Sequence, residues 1–356
     1  MPAVGNAPLL PAPAAPWKTV VFSHGLGGNR NTYSQFCGSL ASYGYVVICP
    51  EHKDHTSPLT FHHDGRQVDF VRLMDISEPA RDLRTYQLAQ RAREIHSILR
   101  LLRERPAAAG LPFDPAALDL EPGAVTLAGH SFGAATASMM SKGVGHMLRR
   151  LLERRGRAPD EIAAALDDDT LAPFAAPCLL LLDPWLVPVY ETLDVPLGSP
   201  AIAVMTEQFY HWDDNMAMVY QLLSANLAPD DEAGNAAREV AKANRLFVAR
   251  PTVHHSQSDF TLLFPAFTRY ALKKTAATYE TQQNVMEMNV AACLRLMADR
   301  GLDVNGGPPA SPHLGPHPHV GNADGTLSDV GTLQRNWEKL DIRDDLPFID
   351  IYQLDS

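Results

Sequence analysis

An α/β fold, a mostly parallel sheet flanked by helices, is predicted by three observations. Six short apolar runs recur along the chain, segments of helical period separate them, and one run breaks abruptly into a serine framed by glycines. The runs are TVVFSH, YVVICP, AVTLAG, PCLLLLD, AIAVMT and RLFVAR. Each is followed by turn or polar residues, and continuous rather than alternating hydrophobicity marks strands covered on both faces.

Between the second and third runs, Ile95, Ile98, Leu99 and Leu102 follow the i, i+3, i+4, i+7 rule of a helix packed on the sheet. Arg91, Arg93, Arg100 and Arg103 are assigned to its solvated face. The charged stretch HMLRRLLERRGRAPDEIAAALDDDT also has helical period, and residues 143–172 read as an insertion, either a cap over the site or a solvated hairpin. Residues 1–17, rich in Pro and Ala, read as an extended arm, and the Gly/Pro/His-rich stretch 305–326 as a loop. The histidines of that loop, His313, His317 and His319, are not expected to form a functional metal site. No repeat or boundary splits the alternation, so residues 1–356 are expected to form a single domain.

With 356 residues, 46 % of them hydrophobic, the chain can bury one large core. A formal charge of −11 excludes broad nucleic-acid binding, which needs clustered Lys and Arg. The first residues lack the charged and apolar regions of a signal peptide, no stretch approaches the ~18 apolar residues of a membrane span, and Pro2 replaces the glycine that myristoylation needs. A cytoplasmic protein is expected. Cys37, Cys49, Cys178 and Cys293 lie far apart in sequence and read as reduced, buried thiols.

Gly129-His130-Ser131-Phe132-Gly133, directly after a strand and before a helix, is the pattern of a nucleophile elbow. Such a turn is so tight that its flanks want residues without a β-carbon, which Gly129 and Gly133 supply. A serine hydroxyl is a poor nucleophile at neutral pH. It needs a histidine to take its proton and a carboxylate to hold that histidine's tautomer. Asp183 ends the fourth run, where a strand gives out; the competing assignment is a helix N-cap ahead of Pro184. After the sixth run, taken as the last strand, a loop carries His254 and His255, and the residues alone leave the choice between them open. An oxyanion hole needs two backbone N–H groups; Phe132 follows the serine, and Leu26 lies in the glycine-rich loop SHGLGGNR after the first run. His24, His52, His55, His62 and His63 lack the spacing of a zinc site and read as loop and pocket-wall residues, so neither metal nor cofactor is expected.

At this point VVFSHGLGGNR, EHKD, GHSFGAAT, LLDPWLVP and TVHHSQSDFT, in this order between about Val20 and Thr261, resemble the monomeric platelet-activating-factor acetylhydrolases, the lipoprotein-associated and cytosolic type II enzymes. The resemblance implies an α/β-hydrolase fold with Ser131 as nucleophile, Asp183 as the acid, His254 as the base, and Leu26 and Phe132 as the oxyanion positions. It also implies hydrolysis of short or oxidised sn-2 acyl groups from glycerophospholipids, without calcium or another cofactor. The segment TLLFPAF, with Leu262, Leu263, Phe264 and Phe267, matches the position of an apolar surface helix in that family. Those residues, with Trp185, are candidates for lipid contact at a membrane or lipid aggregate; no obligate protein partner is implied. The family's early strands have no counterpart ahead of residue 18, and the elbow-to-acid spacing is longer here. Two rival readings are an esterase acting on small neutral esters and a non-catalytic protein of the same fold.

Overall fold

The structure, a computed structural model, describes residues 15–71, 78–224, 231–250, 252–264, 279–302, 337–341 and 349–354. The six apolar runs become six parallel strands: β1 (Thr19–Ser23), β2 (Val46–Ile48), β5 (Thr126–His130), β6 (Leu179–Leu182), β7 (Ala201–Thr206) and β8 (Arg245–Arg250). A small antiparallel hairpin, β3 (Thr60–Phe61) and β4 (Gln67–Val68), stands apart. Two further strands were not anticipated. β10 (Ile349–Leu354) pairs parallel with β8, and β9 (Trp337–Asp341) pairs antiparallel with β10, giving the order β2-β1-β5-β6-β7-β8-β10-β9. RLFVAR is therefore not the last strand of the sheet.

Strand residues alternate between two cores. Val21, Leu127, Leu179, Leu181, Ala203 and Val248 point into one. Val20, Phe22, Leu180, Leu182, Ile202 and Val204 point into the other. Each fully buried aliphatic side chain contributes about 1.5–3 kcal/mol, which is why six runs without polar alternation suffice to specify the centre of the sheet. Helices α1 (Ser34–Ser42) and α10 (Tyr279–Asp299) cover the second core. The first lies under α2 (Glu78–Glu104), α3 (Phe132–Lys142), α4 (Gly145–Arg154) and α7 (Asp213–Ser224).

Ile95, Leu99 and Leu102 of α2 are buried as the period predicts, and Arg100 and Arg103 are exposed. Arg91 is a correction to the expected solvated face. It lies in register with Leu88 and Ile95, on the apolar side of the helix, and none of its surface is accessible. The inserted residues form α4 and α5 (Pro159–Leu166), which pack on each other, while α4 packs on α2 through Met147, Leu148 and Leu151. Arg154 and Arg155 pair there with Asp82 of α2. The end of the expected arm is integral to the fold: Trp17 is buried, and its N–H bonds the Ala117 carbonyl at 2.8 Å. Residues 1–14 and the 305–326 loop lie outside the described residues. Among the described residues, no helix is long and apolar enough to cross a membrane.

The chain runs from β1 outward to the β2 edge and then returns to β5 on the other side of β1. This reversal places the loop after β1 and the turn after β5 side by side at the carboxyl edge of the sheet, where a doubly wound sheet opens its crevice. Helix α3 lies so close to β1 that a methyl group on Gly133 would overlap the Ser23 carbonyl, and one on Gly129 would strike the Gly133 backbone. Gly133→Ala should therefore lower the unfolding free energy, measured by urea titration, by more than the ~1–3 kcal/mol of ordinary overpacking. Gly27→Ala, at φ 76° with nothing within 4 Å of the added methyl, should cost only the ~1–2 kcal/mol of a left-handed backbone.

Candidate active site

Ser131 stands between β5 and α3 with φ 56° and ψ −116°, a conformation uncommon for a residue with a side chain. Its N–H bonds Leu182 O at 2.9 Å, and its carbonyl accepts from Trp185 and Ala135. Held this way, the serine leads into the first turn of α3, whose Phe132 N–H has no intrahelical acceptor. Among the described residues the Ser131 hydroxyl makes no side-chain hydrogen bond.

Asp183 repeats the arrangement one strand over, with φ 41° and its N–H on Val204 O at 2.9 Å. It caps no helix, since the next helical turn begins beyond Leu186. Instead its Oδ1 accepts the Thr206 N–H and its Oδ2 the Thr206 hydroxyl, both at 2.6 Å. The same Oδ2 lies 2.9 Å from Nδ1 of His254. Of the two histidines, the fold thus brings His254 to the carboxylate, while His255 is exposed. The His254 N–H is fixed by Gln208 Oε1 at 2.9 Å, and its ring stacks on Phe209 of α6 (Glu207–Tyr210) with centroids 4.0 Å apart. Burial pulls the His254 imidazole below the usual histidine range, leaving a neutral ring able to accept a proton. Burial pushes the Asp183 carboxyl up, opposed by nearby His130 and by the two Thr206 hydrogen bonds.

His130 fills the second position of the elbow, and its ring lies 4.4 Å from that of His254. One donor atom each from His130, Asp183 and His254 falls within 4.8 Å of the others, the one grouping among the described residues with metal-ligand types at such spacing. The direct His254–Asp183 hydrogen bond already uses two of those donors.

The loop after β1 is held by Arg91, which the helical pattern assigns to a solvated face, and by the residues it binds. Arg91 gives its Nε–H to Asp54 Oδ2 at 2.6 Å and one terminal nitrogen to the His24 carbonyl at 2.6 Å and the Ser23 hydroxyl at 3.1 Å. Its other terminal nitrogen bonds the Thr56 hydroxyl at 2.6 Å, and the guanidinium lies 4.7 Å from the Phe132 ring centroid. Asp54 feels burial, which raises its carboxyl, but Arg91 and the bonds from Thr56 carry it down to about 2. His24 and His52 are buried inside this hub, not in a pocket wall. The His52 N–H donates to His24 Nε2, so the His24 Nδ1–H donates to Gly25 O at 2.9 Å. Because the Glu94 carboxylate accepts the His52 Nδ1–H at 2.8 Å, Nε2 of that ring is the acceptor and takes the Ser23 hydroxyl proton at 2.9 Å, while Ser23 accepts from Arg91.

These bonds aim one amide. The Gly25 N–H is taken by the Tyr33 hydroxyl at 3.1 Å and the Gly27 N–H by Thr56 O at 2.9 Å. Gly25 O accepts from the His24 ring and from the Gly28 N–H. A trans peptide is planar, so the Leu26 N–H must point opposite to Gly25 O. Among the described hydrogen bonds Leu26 N–H has no acceptor, as expected of an oxyanion donor. Arg91 was legible in principle, because the helical period sets it between Leu88 and Ile95. Its partners come from three other stretches of chain, which no local pattern joins.

Of the lipid-contact candidates, Leu263 and Phe264 are 69 % and 52 % exposed at the end of α9 (Asp259–Leu263), and Leu262 is half-buried. Phe267 lies outside the described residues. Trp185 is half-buried against Phe132, with ring centroids 6.0 Å apart, and packs on the core rather than standing free at the surface.

Strand order and elbow together put the chain in the α/β-hydrolase class. The family profile described as platelet-activating factor acetylhydrolase, isoform II, matches residues 1–306. The chain belongs to that family. It is 27 % identical to a putative phospholipase A2 of Schizosaccharomyces pombe, over 90 % of this chain and 73 % of that one. It is 26 % identical to the platelet-activating factor acetylhydrolase of Bos taurus over 82 % of this chain, and 27 % identical to that of Cavia porcellus over 73 %. The matches span 57 % and 52 % of those two relatives, little more than half their length. A ferulic acid esterase from Streptomyces cinnamoneus superposes with a TM-score of 0.49 at 14 % identity, over 83 % of this chain and 71 % of that structure.

The two ends of the hub should be coupled. Arg91→Met alone or Asp54→Leu alone should each lose about 3–5 kcal/mol by leaving a buried charge unpaired. The double variant should lose less than the sum, by more than the ~0.5 kcal/mol within which independent sites add. Urea titrations of the four proteins measure the difference.

Proposed function

We propose that the chain is a carboxylic ester hydrolase in which Ser131, His254 and Asp183 form the catalytic triad, releasing short or oxidised sn-2 acyl groups from glycerophospholipids. The observation that carries this reading is the His254–Asp183 hydrogen bond of 2.9 Å beside a serine held at positive φ on the elbow. His254 takes the Ser131 proton through Nε2 as Oγ attacks the ester carbonyl. Asp183, accepting the Nδ1–H, fixes the tautomer and stabilises the imidazolium. The negative oxygen of the tetrahedral intermediate is received by the N–H groups of Leu26 and Phe132. His254 then protonates the departing lysophospholipid alcohol, and water activated by the same ring frees the acid from the acyl-enzyme.

The names of the relatives supply the substrate class, and two apolar tips near the site suit an aggregated lipid. Leu263 and Phe264 end α9, whose Asp259 binds Thr32 of the β1–α1 connection and the Gln35 N–H in the first turn of α1. Leu59 and Phe61, 57 % and 50 % exposed, lie in the segment whose Thr56 carbonyl holds Gly27. Such side chains enter the interfacial region of a lipid surface with a gain of about 25 cal/mol per Å² of apolar area covered.

The purified protein should release acetate from a phosphatidylcholine carrying an sn-2 acetyl group, with EDTA present. Ser131→Ala should lose at least ~10⁴-fold in kcat. Hydrolysis of nitrophenyl esters with no acetate from the phospholipid would replace the substrate class with small neutral esters. Equal rates in both proteins would remove Ser131 from the mechanism. A general base works only while neutral, and burial lowers His254, so activity should be full at pH 7. The acid limb of kcat/KM should have its midpoint below the ordinary histidine value of ~6.5. An acid limb with its midpoint above that value would contradict the assignment.

A further inference from the structure

Spaced far apart in sequence from the other cysteines, Cys37 and Cys49 are brought together by the fold. Their sulfurs lie 3.4 Å apart as free thiols. Cys37 is buried on α1, whereas Cys49 is half-buried just past β2, the edge strand of the sheet. Cys178 and Cys293 differ in setting. Both are fully buried, and burial pushes both thiols up, Cys178 to about 12.

We propose that Cys37 and Cys49 form a reversible disulfide on exposure to a hydroperoxide, and that its closure slows ester hydrolysis through the loop after β1. The rate effect rests on the triad proposed above; formation of the bond does not. Cys49 is the more exposed of the two sulfurs and Cys37 is buried on α1, so a hydroperoxide meets Cys49 first and Cys37 resolves; the thiol–thiol contact also lowers Cys49, and with burial it raises Cys37. Cys49 as thiolate attacks the terminal peroxide oxygen; the O–O bond breaks, and the departing alkoxide takes a proton to become an alcohol. The resulting sulfenic acid is attacked by the Cys37 sulfur, the S–O bond breaks, and the hydroxyl leaves as water with the Cys37 proton. Two thiols lose two electrons in all, and one hydroperoxide gains them.

Both cysteines sit on chain that holds the oxyanion loop. The Cys37 N–H bonds the Tyr33 carbonyl at 3.0 Å, one helical turn from the hydroxyl that binds Gly25. Cys49 precedes by three residues His52, which binds Ser23 and His24. A sulfur–sulfur bond is about 2.05 Å long, so closure draws these two supports toward each other, and an oxyanion donor tolerates little displacement.

The test treats the whole protein with hydrogen peroxide, alkylates the remaining thiols, and maps peptides by mass while following hydrolysis of a short-chain ester. The expected result is a linked Cys37–Cys49 peptide, Cys178 and Cys293 still alkylated after unfolding, and a several-fold fall in kcat reversed by dithiothreitol. Cys49→Ser should keep its basal rate and lose the response. Oxidation of Cys49 to sulfinic acid without a linked peptide would overturn the disulfide. A linked peptide with unchanged kcat would overturn its coupling to the loop. An untreated protein without esterase activity would count against the triad and leave the linked peptide to decide the disulfide by itself.

Discussion

The site hangs on one buried ion pair. Arg91 and Asp54 are both removed from water, and taking each ion out of solvent costs several kcal/mol even in a relaxed protein. What offsets that cost is completeness. Through its three nitrogens the guanidinium reaches a carboxylate, a carbonyl and the hydroxyls of Ser23 and Thr56, and its face lies over Phe132. It thereby ties α2 to β1, to the 54–56 segment and to the start of α3. Without a donor at this place the His24 carbonyl would have no partner in the interior. The peptide planes that follow it, including the one presenting Leu26 N–H, would lose their reference.

The sheet positions the other half of the site by one device used twice. Ser131 and Asp183 each follow directly on a strand, each has positive φ, and each gives its N–H to a carbonyl of the neighbouring strand, at Leu182 and Val204. Backbone strain of this kind costs ~1–3 kcal/mol per residue and persists only where the surroundings over-determine it. Here the surroundings are strands of fully buried leucine, valine and alanine, which cannot shift without opening two cores at once. Apolar packing at the centre of the sheet thus holds two polar side chains above its edge.

This division explains what was legible. The six central strands announced themselves because burial on both faces demands unbroken apolar runs, and the elbow because close approach of α3 to β1 demands glycine. β10 was missed, since IDIYQL alternates with polar residues and pairs with β8 about a hundred positions earlier in the chain. His254 and His255 could not be told apart locally. In a 3₁₀ turn successive side chains diverge by about 120°, and only the fold says which one meets Asp183. Asp183 itself was visible at its strand end, but Thr206 and Gln208, which fix the carboxylate and the histidine loop, lie on a different strand and helix. The hub around Arg91 was the least visible part, for it joins residues 23–24, 52–56, 91–94 and 132–136 by contacts that leave no periodic trace.

The histidines show why a permanent charge rather than a neutral donor suits that place. His24 must accept at Nε2 from the His52 N–H, His52 must accept at Nε2 from Ser23, and His130 Nδ1 shares a hydrogen bond with the Tyr33 hydroxyl at 2.8 Å. The first two bonds require neutral rings, since an imidazolium has donors at both nitrogens. Burial lowers all three rings, and Arg91 lowers His24 and His52 further because a second positive charge beside it is disfavoured. Arg91 therefore acts on the loop in two ways, as the donor that fixes the His24 carbonyl and as the field that keeps the neighbouring rings in the single tautomers on which the direction of Leu26 N–H depends. A neutral donor of the same shape would supply the first effect and not the second.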